Sequence, residues 1–171
     1  MAAPVSPFVL AVHDVIHRPG ELRERELDFS APEQFGEGAA VVPTGSEMHI
    51  SARIEGLHEG ILLTGRVETT AIGECVRCLD PVSIPVDVDL QELFAYVSDE
   101  AFDYTVVEDR IDLEPLVRDA VVLALPFQPL CRPDCPGIDP RTGDKRDVSA
   151  GLGDDPRDPR WAALDGFQAD N

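Results

Sequence analysis

The sequence predicts an α+β fold, in which an antiparallel β-meander sheet is covered by one main amphipathic helix and followed by a flexible C-terminal tail. Three observations predict it: apolar residues alternate in three consecutive segments, a later segment has helical periodicity, and the C-terminal stretch has little apolar content. With 171 residues and 43% apolar content, the chain can bury one core. We expect one domain over residues 1–138 and a tail over residues 139–171.

Three segments carry the alternation that is typical of half-buried strands. The positions predicted on the buried face are Met48, Ile50, Ala52 and Ile54, then Ile61, Leu63, Val67, Thr69 and Ala71, then Val82, Ile84, Val86, Val88 and Leu90. Residues 56–60 and 73–81 are short enough to join them as antiparallel hairpins. Pro85 has no N–H for a ladder, so the third strand is predicted to be at an edge or bulged there. A further strand is expected around Phe8, Leu10 and Val12.

The apolar period then changes to that of a helix. Its apolar face consists of Leu113, Leu116, Val117, Ala120, Val121 and Ala124. Asp112 is predicted as the N-cap, Pro115 lies in the first turn, and Pro126 ends the run. We expect this helix, from about Asp112 to Leu125, to cover the apolar face of the sheet.

Residues 139–159 are rich in Asp, Gly, Pro and Arg, which is typical of a flexible segment. After them, Asp158, Pro159, Trp161 and Leu164 follow the pattern of a short helix. Two roles stay open for Trp161, the only tryptophan: it docks on the core, or it anchors a partner, as buried aromatic residues often do.

The chain is strongly acidic, with 33 Asp and Glu against 14 Lys and Arg and a net charge of -19. Proteins that bind nucleic acid directly neutralise phosphates with cations, so direct tight binding of RNA or DNA is not expected. Acidic residues concentrate between Asp87 and Asp119, either as a solvated face or as a surface that steers a basic protein. The candidate partner-binding residues are Asp87, Asp89, Glu92, Asp99, Glu100, Asp103, Glu108 and Asp109, together with Trp161.

The N-terminal sequence lacks the pattern of a secretory signal, since His13 and Asp14 interrupt its apolar run. No stretch approaches the roughly 18 apolar residues that a membrane span needs. We therefore expect a cytoplasmic protein without a membrane partner. In that reducing compartment, cysteines favour metal binding or plain burial over disulfides.

All four cysteines fall in two short motifs, Cys75-Val76-Arg77-Cys78 at a predicted hairpin tip and Cys131-Arg132-Pro133-Asp134-Cys135 after the helix. Such spacings let paired sulfurs reach one ion, so Cys75, Cys78, Cys131 and Cys135 are candidate ligands of one structural zinc. Ordinary partly buried thiols, with no cofactor, are the alternative. A thioredoxin-like role is less favoured, because it requires the motif at a helix N-terminus.

Catalytic templates fail on inspection. In residues 137–145 the spacing of Gly137 and Gly143 does not match a phosphate loop, and Asp144 stands where its lysine is needed. His58-Glu59 has no second histidine for HExxH, and no GxSxG is present. We expect no enzymatic activity. Direct RNA chaperoning by Arg77, Arg132 and Arg141 is a further hypothesis, which the net charge disfavours.

Three segments resemble the YceD family, described as large ribosomal RNA accumulation proteins. They are Cys75-Val76-Arg77-Cys78-Leu79, residues 111–126 (IDLEPLVRDAVVLALP), and residues 158–164 (DPRWAAL). The resemblance implies a cytoplasmic, non-enzymatic role in ribosome biogenesis that supports accumulation of large-subunit (23S) RNA. Combined with the acidity, it points to a basic ribosomal protein or assembly factor as partner.

The chain departs from many relatives at the second cysteine turn. Those relatives continue with a further CxxC, whereas Asp139 and Thr142 stand at these places here. Any zinc must then rely on the four cysteines that are present. A zinc- or thiol-dependent regulatory protein that uses both cysteine pairs is the alternative function.

Overall fold

The computed structural model describes residues 6–98, 102–147 and 160. Its elements are, in order, β1 (Val9–Ala11), β2 (Leu22–Ser30), β3 (Ala40–Val41), β4 (Glu47–Gly56), β5 (Gly60–Glu74), β6 (Pro81–Ala95), β7 (Tyr104–Thr105), β8 (Arg110–Asp112) and α1 (Glu114–Ala124). Strands β4, β5 and β6 form the predicted meander, with Ile54 opposite Leu63 and Val67 opposite Val88. The α+β prediction is confirmed.

The main sheet has the strand order β2-β4-β5-β6-β7, and β3 pairs with the end of β5 at Ile72 and Gly73. Strand β7 runs parallel to β6 and pairs only with Phe94 and Ala95. Most of β6, including Pro85, therefore lies at an open edge within the described part of the chain. The edge position predicted for Pro85 is confirmed.

The strand expected near the start is also present, but it belongs to a second sheet. Strand β1 pairs antiparallel with β8, where Leu10 lies opposite Ile111. Both side chains are buried, and they join the main core. This small sheet fixes the chain immediately before α1, because Leu113 donates its backbone N–H to the carbonyl of Phe8 at 3.1 Å.

The core lies between the inner face of the main sheet and α1. On the helix, Val117 and Val121 are fully buried, as is Leu113 just before it. On the sheet, the predicted inner positions of β4 and β5 are all buried. Fully burying such a side chain stabilises the fold by about 1.5–3 kcal/mol, so this alternation accounts for the sheet placing one face toward the helix.

The ends of the helix differ from the prediction. The helix begins at Glu114, and the residue before it, Leu113, makes no side-chain cap. Asp112, predicted as the N-cap, lies in β8 and accepts a hydrogen bond from the N–H of Glu114 at 3.0 Å. Ala124, predicted on the buried face, is exposed, as are its neighbours Val122 and Leu123.

Strand β2 was not predicted. It pairs along its whole length with β4, from Leu22 opposite Glu55 to Ser30 opposite Glu47. Its inner positions begin with Arg23 and Arg25, which removes the apolar alternation from the first half of the strand. Both arginines form ion pairs with Asp14, at 3.4 Å for Arg23 and 2.6 Å for Arg25, so neither charge is left unpaired next to the core.

The first part of the predicted tail, residues 139–147, forms a hydrogen-bonded turn. Asp139 donates its N–H to the carbonyl of Asp144, and Gly143 donates to that of Asp139, both at 2.8 Å. Ile138 and Lys145 form an antiparallel bridge across this turn. Except for Arg160, the rest of the predicted tail, with Trp161 and its short helix, lies outside the described residues. The boundary at residue 138 stays a prediction.

Candidate functional site

The first cysteine pair lies in the turn between β5 and β6. Cys75 donates its N–H to the carbonyl of Asp80, and Leu79 donates to the carbonyl of Cys75, both at 2.8 Å. Leu79 adopts a left-handed conformation with a φ of 62°. These bonds close a tight turn that brings Cys75 and Cys78 to the same side.

The second pair is held against this turn by the backbone of the segment after α1. Val76 donates its N–H to the carbonyl of Pro129 at 3.0 Å. The guanidinium of Arg77 donates to the carbonyls of Pro133 and Cys135, at 3.2 Å and 3.0 Å. Gly137 has a φ of 78°, and a Cβ there would lie 3.1 Å from the Arg77 carbonyl oxygen, so glycine permits this close approach.

All four cysteine sulfurs lie within 4.8 Å of one another. The Sγ atoms of Cys75 and Cys135 are 3.8 Å apart, and those of Cys78 and Cys131 are 3.6 Å apart. A tetrahedral zinc with Zn–S bonds of about 2.3 Å requires sulfurs about 3.8 Å apart. The four thiols are free of disulfides, and only Cys131 is exposed. The cluster therefore has the donor set and spacing of a closed four-thiolate metal site.

Backbone donors favour the charged form of one thiol in the cluster. The N–H of Cys131 has the largest effect on Cys75 and lowers its pKa, whereas burial raises it. The N–H groups of Cys78 and Arg77 lower it further, so the pKa of Cys75 falls to about 6. The N–H of Asp80 lowers the pKa of Cys78, but burial and the neighbouring sulfurs outweigh it and raise that pKa to about 12. Because metal ligation requires deprotonated thiols, the lowered pKa of Cys75 favours this cluster as a set of metal ligands.

A polar contact closes the outer side of the cluster. Lys145 forms an ion pair with Asp80, and this contact lowers the pKa of the Asp80 carboxyl. The other carboxylate oxygen of Asp80 lies 3.5 Å from the Sγ of Cys78. Residues 137–146 are thereby tied to the cysteine turn, and Arg146 donates its N–H to the carbonyl of Gly137 at 3.0 Å.

The predicted acidic residues do not share one surface. Asp87 and Asp89 lie on the outer face of β6, which points away from α1. Glu92 and Asp103 lie near Tyr104, whose pKa is raised by burial and by these carboxylates together with Asp119. Two further predicted residues, Glu108 and Asp109, form a turn with positive φ before β8. Asp99, Glu100 and Trp161 lie outside the described residues.

The outer face of the main sheet is a larger acidic surface than the sequence indicated. Asp28, His49, Glu68 and Asp87 are register partners across β2, β4, β5 and β6, so they form one row of side chains. We call this surface the acidic sheet face; its carboxylates are Glu24, Glu26, Asp28, Glu47, Glu55, Glu68, Glu74, Asp87 and Asp89, and its arginines are Arg53 and Arg66. Sequence reasoning missed its first half because β2 was not recognised.

The described helix α1 is 11 residues long, and no helix in the described part of the chain has the length and apolar character needed to cross a membrane.

The candidate residues that the fold brings together are the four cysteines, and the acidic sheet face adjoins them at Glu74.

A family model described as large ribosomal RNA subunit accumulation protein YceD matches residues 63–168, which include both cysteine pairs and α1. The chain belongs to the YceD family. The YceD description names accumulation of large-subunit ribosomal RNA, which agrees with the cellular role that the resemblance implied.

Mycobacterial relatives resemble this YceD protein over nearly all of its length. Uncharacterized proteins of Mycobacterium bovis and Mycobacterium tuberculosis are 40% identical, over 93% of this chain and 80% of their own. An uncharacterized protein of Mycobacterium leprae is 35% identical, over 94% of this chain and 77% of its own. No solved structure gives a significant match.

Proposed function

We propose that this protein is a non-enzymatic, cytoplasmic factor in ribosome biogenesis, which supports accumulation of large-subunit RNA by binding a basic ribosomal protein or assembly factor. Membership of the YceD family carries the first half of this proposal. The charge carries the second half, because a molecule with a net charge of -19 repels phosphate and attracts cationic proteins.

The test of the cellular role is deletion of the gene in its own host. We expect the ratio of large-subunit to small-subunit RNA to fall, and the wild-type gene to restore it. An unchanged ratio and unchanged profiles of ribosomal particles would contradict the role.

The test of the partner class uses purified components. We expect at least one individually purified large-subunit protein to bind the full chain in a salt-dependent manner, since opposite charges steer the encounter. Fragments of large-subunit RNA should not bind at physiological salt. Tight binding of bare RNA, without any bound ribosomal protein, would contradict a protein partner.

We further propose that Cys75, Cys78, Cys131 and Cys135 hold one structural zinc. Their mutual distances and the backbone N–H groups directed at Cys75 support this site. The bound ion would join the β5–β6 turn to the segment after α1. Hydrogen bonds from the backbone would hold the thiolates in position. Elemental analysis should give one zinc per chain, lost in Cys75→Ser and retained in the control Ser83→Ala; a metal-free wild type would contradict the site.

The cluster also favours a second candidate function, a zinc- or thiol-dependent regulatory protein. In that case, partner binding should fall when zinc is removed and recover when it is restored. Loss of zinc with unchanged partner binding would leave the cluster with a structural role alone.

A further inference from the structure

An open apolar groove lies beside the cysteine turn, between that turn and the segment that leads into β3. Its volume is about 740 Å³. The apolar side chains that line it are Ala39, Val41, Ile72, Val76, Leu79 and Val82. Three of them remain substantially exposed to solvent, with Ile72 at 50%, Val76 at 45% and Leu79 at 60%. Exposed apolar patches that are rimmed by polar residues, as this one is by Glu74 and Ser83, are typical of protein–protein interaction sites.

Leu79 is unfavourable for the isolated protein in two ways. Its φ of 62° is left-handed, a conformation that Gly or Asn adopts far more readily than Leu. Its side chain is also mostly in solvent instead of the core. A strained backbone position that carries an exposed apolar side chain indicates a role outside folding, and the groove supplies one.

The groove is continuous with the acidic sheet face. Ile72 and Glu74 lie on that face and also line the groove. Along β5, Glu68 is four residues before Ile72, a distance of about 13 Å on the same face. Glu68 in turn lies opposite Asp87 of β6 and His49 of β4. An extended or helical segment of ordinary length can therefore cover the groove and the carboxylates together.

We propose that this combined surface docks a Lys- and Arg-rich segment of a partner protein, which inserts a large apolar side chain between Ile72, Val76 and Leu79. The inference rests on the proposed function, in which the partner is a basic protein, and it names the surface and the chemistry of the segment. The carboxylates disfavour RNA as the occupant. A second copy of this chain, with the same charge of -19, is disfavoured by repulsion.

The test uses a large-subunit protein that binds the full chain. Leu79→Asn and Ile72→Thr remove apolar wall while suiting the local backbone, since Asn tolerates positive φ and Thr favours strands. We expect each to weaken binding roughly tenfold, as for a side chain at the centre of an interface. Glu68→Lys should weaken binding and reduce its dependence on salt.

Matched control variants distinguish this surface from exposed apolar and acidic residues elsewhere in the described part of the chain. Val107 is an exposed apolar residue (62%) shortly before β8, and Glu59 is an exposed acid in the turn between β4 and β5, at the end of β5 that is far from the groove. Val107→Asn and Glu59→Lys should leave the affinity unchanged. Thermal denaturation of every variant checks the fold, and Leu79→Asn should be at least as stable as the wild type, because it relieves the strained φ.

The outcomes distinguish this inference from the proposed function. A large-subunit protein that binds equally well to all groove and sheet-face variants overturns the docking surface and leaves the proposed function intact. Failure of every large-subunit protein to bind the wild type overturns both. A dimer of this chain, or bound RNA, that is lost in Leu79→Asn assigns the groove to another occupant and overturns the inference.

Discussion

His49 occupies the middle of the row of side chains on the acidic sheet face. Its Nδ1 lies 2.6 Å from a carboxylate oxygen of Asp28, and its Nε2 lies 3.2 Å from one of Glu26. The hydrogen bond to Asp28, with the charges of Asp28, Glu26 and Glu68, raises the pKa of His49 above its usual 6.5. One imidazolium thus offsets part of the repulsion between these carboxylates.

A pH dependence follows from this arrangement. Because the pKa of His49 is higher in the folded than in the unfolded state, its stabilising effect is fully present below pH 6.5 and is lost as the pH rises through the raised pKa. Thermal denaturation across this range should show the wild type losing more stability than His49→Gln. Equal pH profiles, or an NMR titration of His49 at its usual pKa, would contradict the prediction.

At the level of single residues, the sequence predicted the cysteines but not their neighbours. Residue type and spacing are visible in the sequence, so both pairs could be named as ligands. The left-handed conformation of Leu79 could not be predicted, because it is imposed by the turn that Leu79 closes. Arg23 and Arg25 interrupt the apolar alternation of β2, so this strand was not predicted. Their partner Asp14 lies in a loop whose position is determined by the fold alone.

Among the secondary-structure elements, α1 is the one that covers the sheet. Its buried side runs through Val117 and Val121, while Leu123 is 85% exposed. Arg118 extends over the ring of Phe35, 4.6 Å from its centroid, and pairs with Glu114 at 2.7 Å. Arg118 also forms an ion pair with Glu33, outside the helix, so α1 is held both by its apolar side and by this contact.

A pair of truncations on this helix tests the packing. Val121→Ala should lower the free energy of unfolding by about 2 kcal/mol, because it leaves a cavity between the helix and the sheet. Leu123→Ala should change it by less than about 0.5 kcal/mol, because that side chain is mostly in solvent. Urea denaturation measures both, and equal effects of the two variants would contradict the helix orientation.

The elements that the sequence predicted well are those with one buried and one exposed face. Strands β4 and β5 keep strict alternation, so their inner residues could be named from the pattern alone. The ends of α1 could not, since the turn before it is set by the pairing of β8 with β1. Two-residue strands such as β3 and β7 carry too few positions for any period to be read.

At the scale of the whole molecule, the described residues form two hydrophobic clusters of unequal size. The larger one joins both sheets and α1. The smaller one consists of Cys75, Cys78 and Cys135, with Val82 and Leu130 packed against them. So small an apolar cluster buries little area, and the proposed zinc would add to the hydrogen bonds that hold its loops.

Metal removal should therefore affect the two regions differently. With a chelator, we expect faster amide hydrogen exchange in residues 75–80 and 129–146, while the paired central strands keep their protection. Hydrogen exchange followed by mass spectrometry makes the comparison, and Cys75→Ser should behave like the chelated protein. Uniform loss of protection would mean that the ion stabilises the whole domain, and no change would mean that the loops hold without it.

The contacts between segments that are distant in the sequence were the hardest feature to predict. Cys78 and Cys131 are 53 positions apart, and their turns meet through the packing of α1 on the sheet and the hydrogen bonds of the segment that follows it. The acidic sheet face is assembled from four strands in the same way, although each contributes only a few carboxylates. Local patterns predict elements, whereas these surfaces depend on which elements become neighbours.

The long separation between the two cysteine turns also has a consequence for synthesis of the chain. When the β5–β6 hairpin leaves the exit tunnel, it carries two thiols, and the other two follow only after α1 has been translated. The cluster can therefore close only after Cys135 has been translated, later than the strands of the meander become able to pair. A polypeptide released before Cys131 would contain the meander and α1, but its hairpin tip would lack the second cysteine turn.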